Sequence, residues 1–151
     1  MFKRKSNKPA PSVESAIIIG YSVGLKSILG FGSQAMSNVA GKYVGKELCL
    51  YFKGKKRFES LKDVERALSI FADVRLREED DRIVAEISNC KICPKRVGGY
   101  EFKGTACPWG GILAGFLEEC FGRRFSIDIN LKPGEVCVIT LKIEGLPEPK
   151  G

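Results

Sequence analysis

The chain has 151 residues, with 25 Lys and Arg against 18 Asp and Glu, six Cys and no His. This length predicts one domain, since domains commonly hold about 100–200 residues. The lack of His excludes a Ser-His-Asp triad, a Cys-His dyad and a His-ligated zinc, so a metal would need Cys, Asp or Glu. The net charge of +7 includes four cations among the first eight residues, so it indicates nucleic-acid binding only weakly.

The N-terminus is predicted to be a disordered basic tail over residues 1–11. Pro9 and Pro11 separate its charges from the apolar run that begins at Ala16. Lys26 ends that run after about ten residues, against the ~20 that a bilayer requires. We therefore expect no signal peptide, no membrane span and a cytoplasmic location, where the six cysteines would be reduced. A close cysteine pair there is more typical of a metal site than of a disulfide.

Two helices are predicted after an N-cap at Ser12, because the pattern from Val13 to Val44 is helical and is interrupted at 30–32 by Gly-Phe-Gly. The first helix carries a stripe of small residues at i, i+4 and i+8, namely Ala16, Gly20 and Gly24. Such a stripe is typical of close packing within the monomer or of a helix-helix surface in a homodimer. The sequence leaves both interpretations open.

A basic segment follows a short apolar run at 48–52 that is predicted as a strand. Its cations at 53–57 stand between Phe52 and Phe58. Aromatics beside cations are found in RNA-binding and phospholipid-binding segments, but a solvated loop is the more common explanation and the one we favour. Ser60 and Asp63 have the spacing of a capping box and predict the start of a third helix.

A hairpin, an irregular segment and a fourth helix are predicted next. Val74–Arg77 and Ile83–Ile87 alternate in hydropathy across an acidic turn. After the irregular stretch 89–106, Pro108 suits a first helical turn and Gly122 suits a helix end. Between them, apolar residues recur with the period of an amphipathic helix.

The last hairpin is predicted to join Phe125–Leu131 to Cys137–Ile143. A three-residue turn would pair Ile129 with Cys137 and Leu131 with Glu135, which places both apolar rows on one face. The resulting fold class is α+β, with N-terminal helices packed on a small antiparallel sheet in the order ααα-ββ-α-ββ. One domain would cover residues 12–146, followed by a tail at 147–151.

Three cysteines bracket the irregular segment. Cys90 and Cys93 form a Cys-x-x-Cys turn after a strand, and Cys107 is the predicted N-cap of the fourth helix, where the helix dipole favours a thiolate. Cys137 is the predicted fourth ligand, although it also falls on an apolar row. Cys49 and Cys120 are predicted to be core thiols. Zinc is the expected metal, with an iron-sulfur cluster as the alternative.

Three stretches of the sequence carry a resemblance to a known family: Asn89-Cys90-Lys91-Ile92-Cys93-Pro94, Gly104-Thr105-Ala106-Cys107-Pro108 and the segment from Gly111 to Glu118. They resemble the 4-vinyl reductase, or hydrocarbon-binding, domain family, above all its stand-alone archaeal members. The family shares its fold with subunits of the TRAPP vesicle-tethering complex. The resemblance implies a small apolar ligand in a cavity under the helices, often within a dimer.

The metal site of this family is matched only in part. Sensor members of the family have ligands in both strands of the last hairpin. In this chain Cys137 matches the ligand of the second strand and Cys107 matches the family's Cys before the helix, but no Cys precedes Pro133 in the first strand. The resemblance therefore implies that Cys90 and Cys93 take the place of the missing ligand.

The sequence thus predicts a small apolar-ligand-binding or regulatory domain with a structural zinc, which forms a homodimer. The predicted pocket lies between the fourth helix and the last hairpin, and its side chains are Trp109, Ile112, Leu113, Phe116, Phe125 and Ile127. The alternatives are a zinc-containing nucleic-acid-binding module and, less favoured, a reductase-type enzyme or accessory protein. No dinucleotide or phosphate-loop motif and no acid-base pair supports catalysis.

Overall fold

The computed structural model describes residues 1–5, 7, 9–128 and 132–145. Its elements in chain order are α1 (Val13–Leu29), a 3-10 turn (Gly30–Gly32), α2 (Ser33–Lys53), α3 (Leu61–Leu68), β1 (Asp73–Glu79), β2 (Arg82–Ser88), α4 (Trp109–Phe121), β3 (Phe125–Ile127) and β4 (Cys137–Ile143). The predicted α+β class and the order ααα-ββ-α-ββ are confirmed. The predicted tail at 147–151 lies outside the described residues.

The four strands form one antiparallel sheet in the order β1-β2-β4-β3. The predicted pairing of Ile129 and Leu131 lies outside the described residues, but β3 shows the register nearby. Ile127 lies opposite Leu141. The predicted register, continued along the strand, would instead pair Ile127 with Ile139. A shift of two positions keeps every side chain on its face, so the apolar rows still share one side of the sheet.

Helix α2 is longer than predicted, and the expected strand at 48–52 is wrong because these residues form its last turns. The buried positions of α2 recur every four residues, as Ser33, Ser37, Gly41, Gly45 and Cys49. This spacing keeps one face of a helix continuous to Cys49. A short apolar run does not by itself distinguish a strand from the end of a buried helix.

Helices α2 and α4 contact each other through glycines. A Cβ atom on Gly45 would overlap the carbonyl of Ile112, and one on Gly115 would overlap the carbonyl of Lys42. Gly41 and Gly111 also lie close enough to the opposite backbone for an added Cβ to overlap it. Such close approach lets α4 be buried along Trp109–Leu117, which makes it the central element of the core.

Helix α3 begins with the predicted capping box. The Asp63 carboxylate accepts hydrogen bonds from the backbone N–H groups of Glu59 and Ser60, at 2.9 and 3.0 Å. These bonds hold the pKa of Asp63 below its ordinary value of 3.8.

Asp63→Asn is expected to lower thermal stability at pH 7, because the amide is a weaker acceptor than the carboxylate. A carboxyl whose pKa is lowered by folding stabilises the fold above its unfolded pKa and loses that effect as the pH falls through the folded value. The difference in melting temperature between the two proteins should therefore shrink below pH 3.8. Melting curves followed by circular dichroism at several pH values would check this, and a difference that grows in acid would contradict it.

The buried face of α1 packs on the irregular segment between β2 and α4. A Cβ on Gly98 would come within 3.0 Å of Ile19, and the Lys26 ammonium lies 5.6 Å from the centre of the Phe102 ring. Residues 3–5 of the predicted tail run beside 99–101, with backbone hydrogen bonds to Gly99 and Glu101. The N-terminal part of the chain is thus supported by the loop that carries the cysteines.

Cys49 and Cys120 form a disulfide that joins the ends of α2 and α4, with 6.4 Å between their Cα atoms. The prediction that Cys49 lies in the core is correct, since it is fully buried. The prediction that both thiols are reduced is wrong, because the α2–α4 contact brings their side chains into bonding range. The other four cysteines are free.

Candidate metal centre and neighbouring pockets

The four free cysteines are the four predicted metal ligands, and the fold gathers them at one end of the sheet. Cys90 and Cys93 follow β2, Cys107 stands just before α4, and Cys137 opens β4. Cys137 pairs with Ile87 across the β2–β4 ladder, which places it beside the chain that leads to Cys90. All four are partly buried.

The thiols are close enough for their charges to interact. Burial raises the pKa of Cys107 to about 12, and the charges of Cys90, Cys93 and Cys137 add to the increase. Burial also raises the pKa of Cys90, with smaller contributions from Cys93 and Cys137. A bound cation would instead lower the pKa of these thiols, because a thiol that coordinates a metal is deprotonated outright.

Three of the sulfurs accept hydrogen bonds from nearby N–H groups. Cys90 accepts from the indole Nε1–H of Trp109 at 3.2 Å and from the backbone N–H of Ile92. The backbone N–H of Arg96 lies 3.4 Å from the Cys93 sulfur, and the backbone N–H of Trp109 donates to Cys107. Hydrogen bonds to sulfur favour the thiolate, the form that a metal requires.

The four thiols lie near one another, but their sulfur atoms are not spaced as the ligands of one metal ion would be. Within the described ranges, no group of three or more Cys, Asp or Glu side chains is positioned to hold a metal ion. A tetrahedral zinc with Zn–S bonds of ~2.3 Å needs its sulfurs ~3.8 Å apart. Rotations of the cysteine side chains would therefore have to accompany binding.

Gln34, near the start of α2, fixes the segment that carries Cys107, and the sequence analysis did not single it out. Its side-chain oxygen accepts from the backbone N–H of Cys107 at 2.9 Å and from the Thr105 hydroxyl at 2.8 Å, while its amide donates to the Cys107 carbonyl at 2.8 Å. Only the tertiary structure brings α2 to this loop. No sequence signal marks an isolated glutamine for this role.

The six side chains of the predicted ligand pocket lie mostly in the hydrophobic core. Trp109, Ile112, Leu113 and Phe116 are at most 2% exposed, Phe125 is 3% exposed, and Ile127 is partly buried. Trp109 packs edge-on against Phe71, and Phe116 against Phe58. A ligand among the buried members of this set would have to displace packed side chains.

The basic segment at 53–57 does not present its aromatic neighbours for stacking. Phe52 and Phe58 both pack against Phe116 and the core. Lys55 lies over the Tyr51 ring at 4.4 Å, and Arg57 pairs with Glu59. Base stacking needs an exposed aromatic face, so these contacts favour the predicted solvated loop.

The small-residue stripe of α1 has no partner helix within the described part of the chain. A Cβ on Gly20 or Gly24 would meet nothing within 4 Å, so close packing within the monomer does not account for these glycines. Ile17 and Tyr21 are 55% and 75% exposed on the same helix. The homodimer built on this surface stays a prediction.

The run Val13–Lys53 contains an 18-residue stretch of mean hydropathy 1.4, so by length and composition it could cross a membrane. The 3-10 turn at Gly30–Gly32 divides it into α1 and α2. The core helix of a soluble protein and an N-terminal signal sequence pass the same test.

Two of the pockets that border α2 are apolar enough to bear on ligand binding. The first, of about 170 Å³, touches Cys107, Gly110 and Ile127 and lies between α2 and the sheet. The second, of about 240 Å³, is an open groove between α1 and α2 whose surface is almost entirely apolar. We call it the α1–α2 groove. Its walls are Ile17, Ile18, Leu25, Ala40, Val44 and Pro108, among others.

Comparison with known proteins defines the family. The model of the MJ0207 family matches residues 24–143, and the chain belongs to that family. The uncharacterized protein MJ0207 of Methanocaldococcus jannaschii is 52% identical over 143 residues, which cover 93% of this chain and 95% of that protein. The uncharacterized protein MJ1342 of the same organism is 38% identical over 61 residues, or 40% of this chain and 52% of that protein. The resemblance to 4-vinyl reductase domains stays a prediction.

Proposed function

We propose that this protein is a small apolar-ligand-binding or regulatory domain held together by a structural zinc ion at Cys90, Cys93, Cys107 and Cys137. The observation that carries the proposal is the convergence of the four free thiols, which influence one another's charge. Three of them also accept N–H hydrogen bonds. Outer-shell donors of this kind orient and stabilise metal ligands.

A structural role follows from the number and the chain positions of the ligands. Four thiolates complete a tetrahedral zinc site and leave no position for water or substrate, as in closed structural centres. The zinc would connect the end of β2, the start of α4 and the start of β4. It would thereby fix the loop at 93–107, on which α1 rests.

The ligand-binding part of the proposal is supported by an apolar surface that the fold leaves open. The α1–α2 groove is apolar and partly enclosed, as small-molecule sites usually are. The resemblance to hydrocarbon-binding domains agrees with this class of ligand. By contrast, no contact of the basic segment favours nucleic acid.

Protein purified under reducing conditions is expected to contain one zinc per chain, measured by mass spectrometry of the native protein and by elemental analysis. Cys90→Ser and Cys107→Ser should each lower the zinc content severalfold, because removal of one thiolate opens a closed site. Cys49→Ser is the matched control, since Cys49 pairs with Cys120 away from the cluster. It should retain the zinc.

Protein that folds without stoichiometric metal under these conditions would contradict the zinc proposal. Iron and sulfide in equal amounts, with visible absorption, would instead identify an iron-sulfur cluster on the same ligands.

A further inference from the structure

The α1–α2 groove contains a buried polar group without a partner. Ser37 lies on α2, is 1% exposed and lines the groove. Its hydroxyl is the one buried side-chain N or O atom among the described residues that has no hydrogen-bond partner. A buried hydroxyl with no partner costs free energy, so its position in an otherwise apolar groove calls for an explanation.

We infer that the α1–α2 groove binds a small neutral amphiphile, and that the one hydrogen-bonding group of this ligand pairs with the Ser37 hydroxyl. This inference rests on the ligand-binding part of the proposed function and locates it away from the predicted pocket under α4. The ligand would complete the hydrogen bond that the folded chain leaves unmade.

The size of the groove limits the ligand to about one ring with a short substituent. A cavity of roughly 150 Å³ holds benzene, and the groove measures about 240 Å³. Ile17, Leu25 and Val44 offer aliphatic walls to such a ring.

The lining also limits the charge of the ligand. The described residues that line the groove include no Lys, Arg, Asp or Glu. A carboxylate or an amine would therefore be buried without a counter-charge, which is costly. A hydroxyl can both donate to and accept from Ser37, so an alkylphenol or a small alcohol fits best.

The position of the hydroxyl favours a small molecule over a second copy of the chain. Ser37 and Ser22 line the groove at 1% and 4% exposure, whereas Tyr21 lines it at 75% exposure. A partner helix of ~10 Å diameter would meet the exposed residues first, and only a slender ligand could extend from them towards Ser37.

The experiment compares three probes by calorimetric titration of the zinc-loaded protein: 4-propylphenol, propylbenzene and 4-propylbenzoate. The phenol is expected to bind most tightly and the benzoate not to bind measurably. Ser37→Ala should weaken phenol binding by roughly five- to tenfold, the value of one hydrogen bond. It should leave propylbenzene binding unchanged.

Ala40→Trp supplies the steric test, because Ala40 lines the groove and its side chain is exposed. The tryptophan should fill the groove and abolish binding of both neutral probes. Ala35→Trp is the matched control on the same helix, since Ala35 is exposed and lines the other pocket, beside Cys107. It should bind the phenol as the unmodified protein does.

Stability without ligand gives a second readout. Ser37→Ala removes the unpaired hydroxyl and is expected to leave the melting temperature equal or higher. A lower melting temperature would show that the hydroxyl already has a partner and would overturn the inference.

Phenol binding that survives Ala40→Trp would place the site elsewhere, so the inference would fall while the proposed ligand-binding function stands. No binding of any probe would overturn both. If the unmodified protein does not bind the phenol but sediments as a dimer, and Ala40→Trp makes it a monomer, the groove is an interface with a second copy of the chain. Binding to phosphatidylcholine vesicles instead of the phenol would assign it to a lipid surface.

Discussion

Gly115→Ala is expected to destabilise the protein by about 3 kcal/mol, because overpacking a tight contact forces backbone shifts. The added methyl group would overlap the carbonyl of Lys42, which belongs to a helix backbone and cannot rotate away. Gly45→Ala should act similarly through the carbonyl of Ile112. Urea unfolding followed by circular dichroism would measure the loss.

Gly20→Ala is the matched control for this prediction. It makes the same chemical change in a helix, but the new methyl group would meet nothing within 4 Å. Alanine is favoured over glycine in a helix by about 1 kcal/mol, so this variant should be slightly more stable. Equal losses for Gly115→Ala and Gly20→Ala would contradict the α2–α4 packing described above.

Removal of zinc is expected to unfold most of the domain. Structural zinc sites contribute on the order of 10 kcal/mol to folding, whereas whole domains are stable by only about 5–15 kcal/mol. A strong chelator should therefore abolish the cooperative thermal transition, and readdition of zinc should restore it. Cys107→Ser should melt at a lower temperature in the presence of zinc.

The chelation experiment is conclusive only when elemental analysis confirms that the metal has left. An unchanged melting curve for zinc-free protein would show that the core folds without the cluster. The four cysteines would then have no structural role as zinc ligands.

The features that the sequence predicted well are local in origin. Ser12 caps α1, Asp63 completes the capping box of α3, and Gly122 ends α4 with a φ of 69°. Each depends on residues within about one helical turn of each other. The first hairpin follows in the same way from alternation across a short turn.

The features that the sequence did not predict depend on contacts between distant segments. The end of α2 at 48–52 has the composition of a strand, and only packing of Gly41 and Gly45 on α4 shows that the helix continues. The register of the last hairpin differs from the predicted one by two residues, because alternation determines which face a side chain lies on but not its partner along the strand. The disulfide of Cys49 and Cys120 likewise needed the α2–α4 contact.

The sequence by itself determined the fold class and the order of elements, because helical and strand periods and turn residues are local properties. It also singled out the four cysteines that remain free thiols. The tertiary structure alone decided which surfaces stay open. It buried most side chains of the predicted pocket in the core. It left a small pocket beside Gly110 and Ile127 and a groove between α1 and α2. It also left the Ser37 hydroxyl without a partner within the described residues. The physical reason is that burial and hydrogen-bond satisfaction are properties of whole neighbourhoods, assembled from residues far apart in the chain.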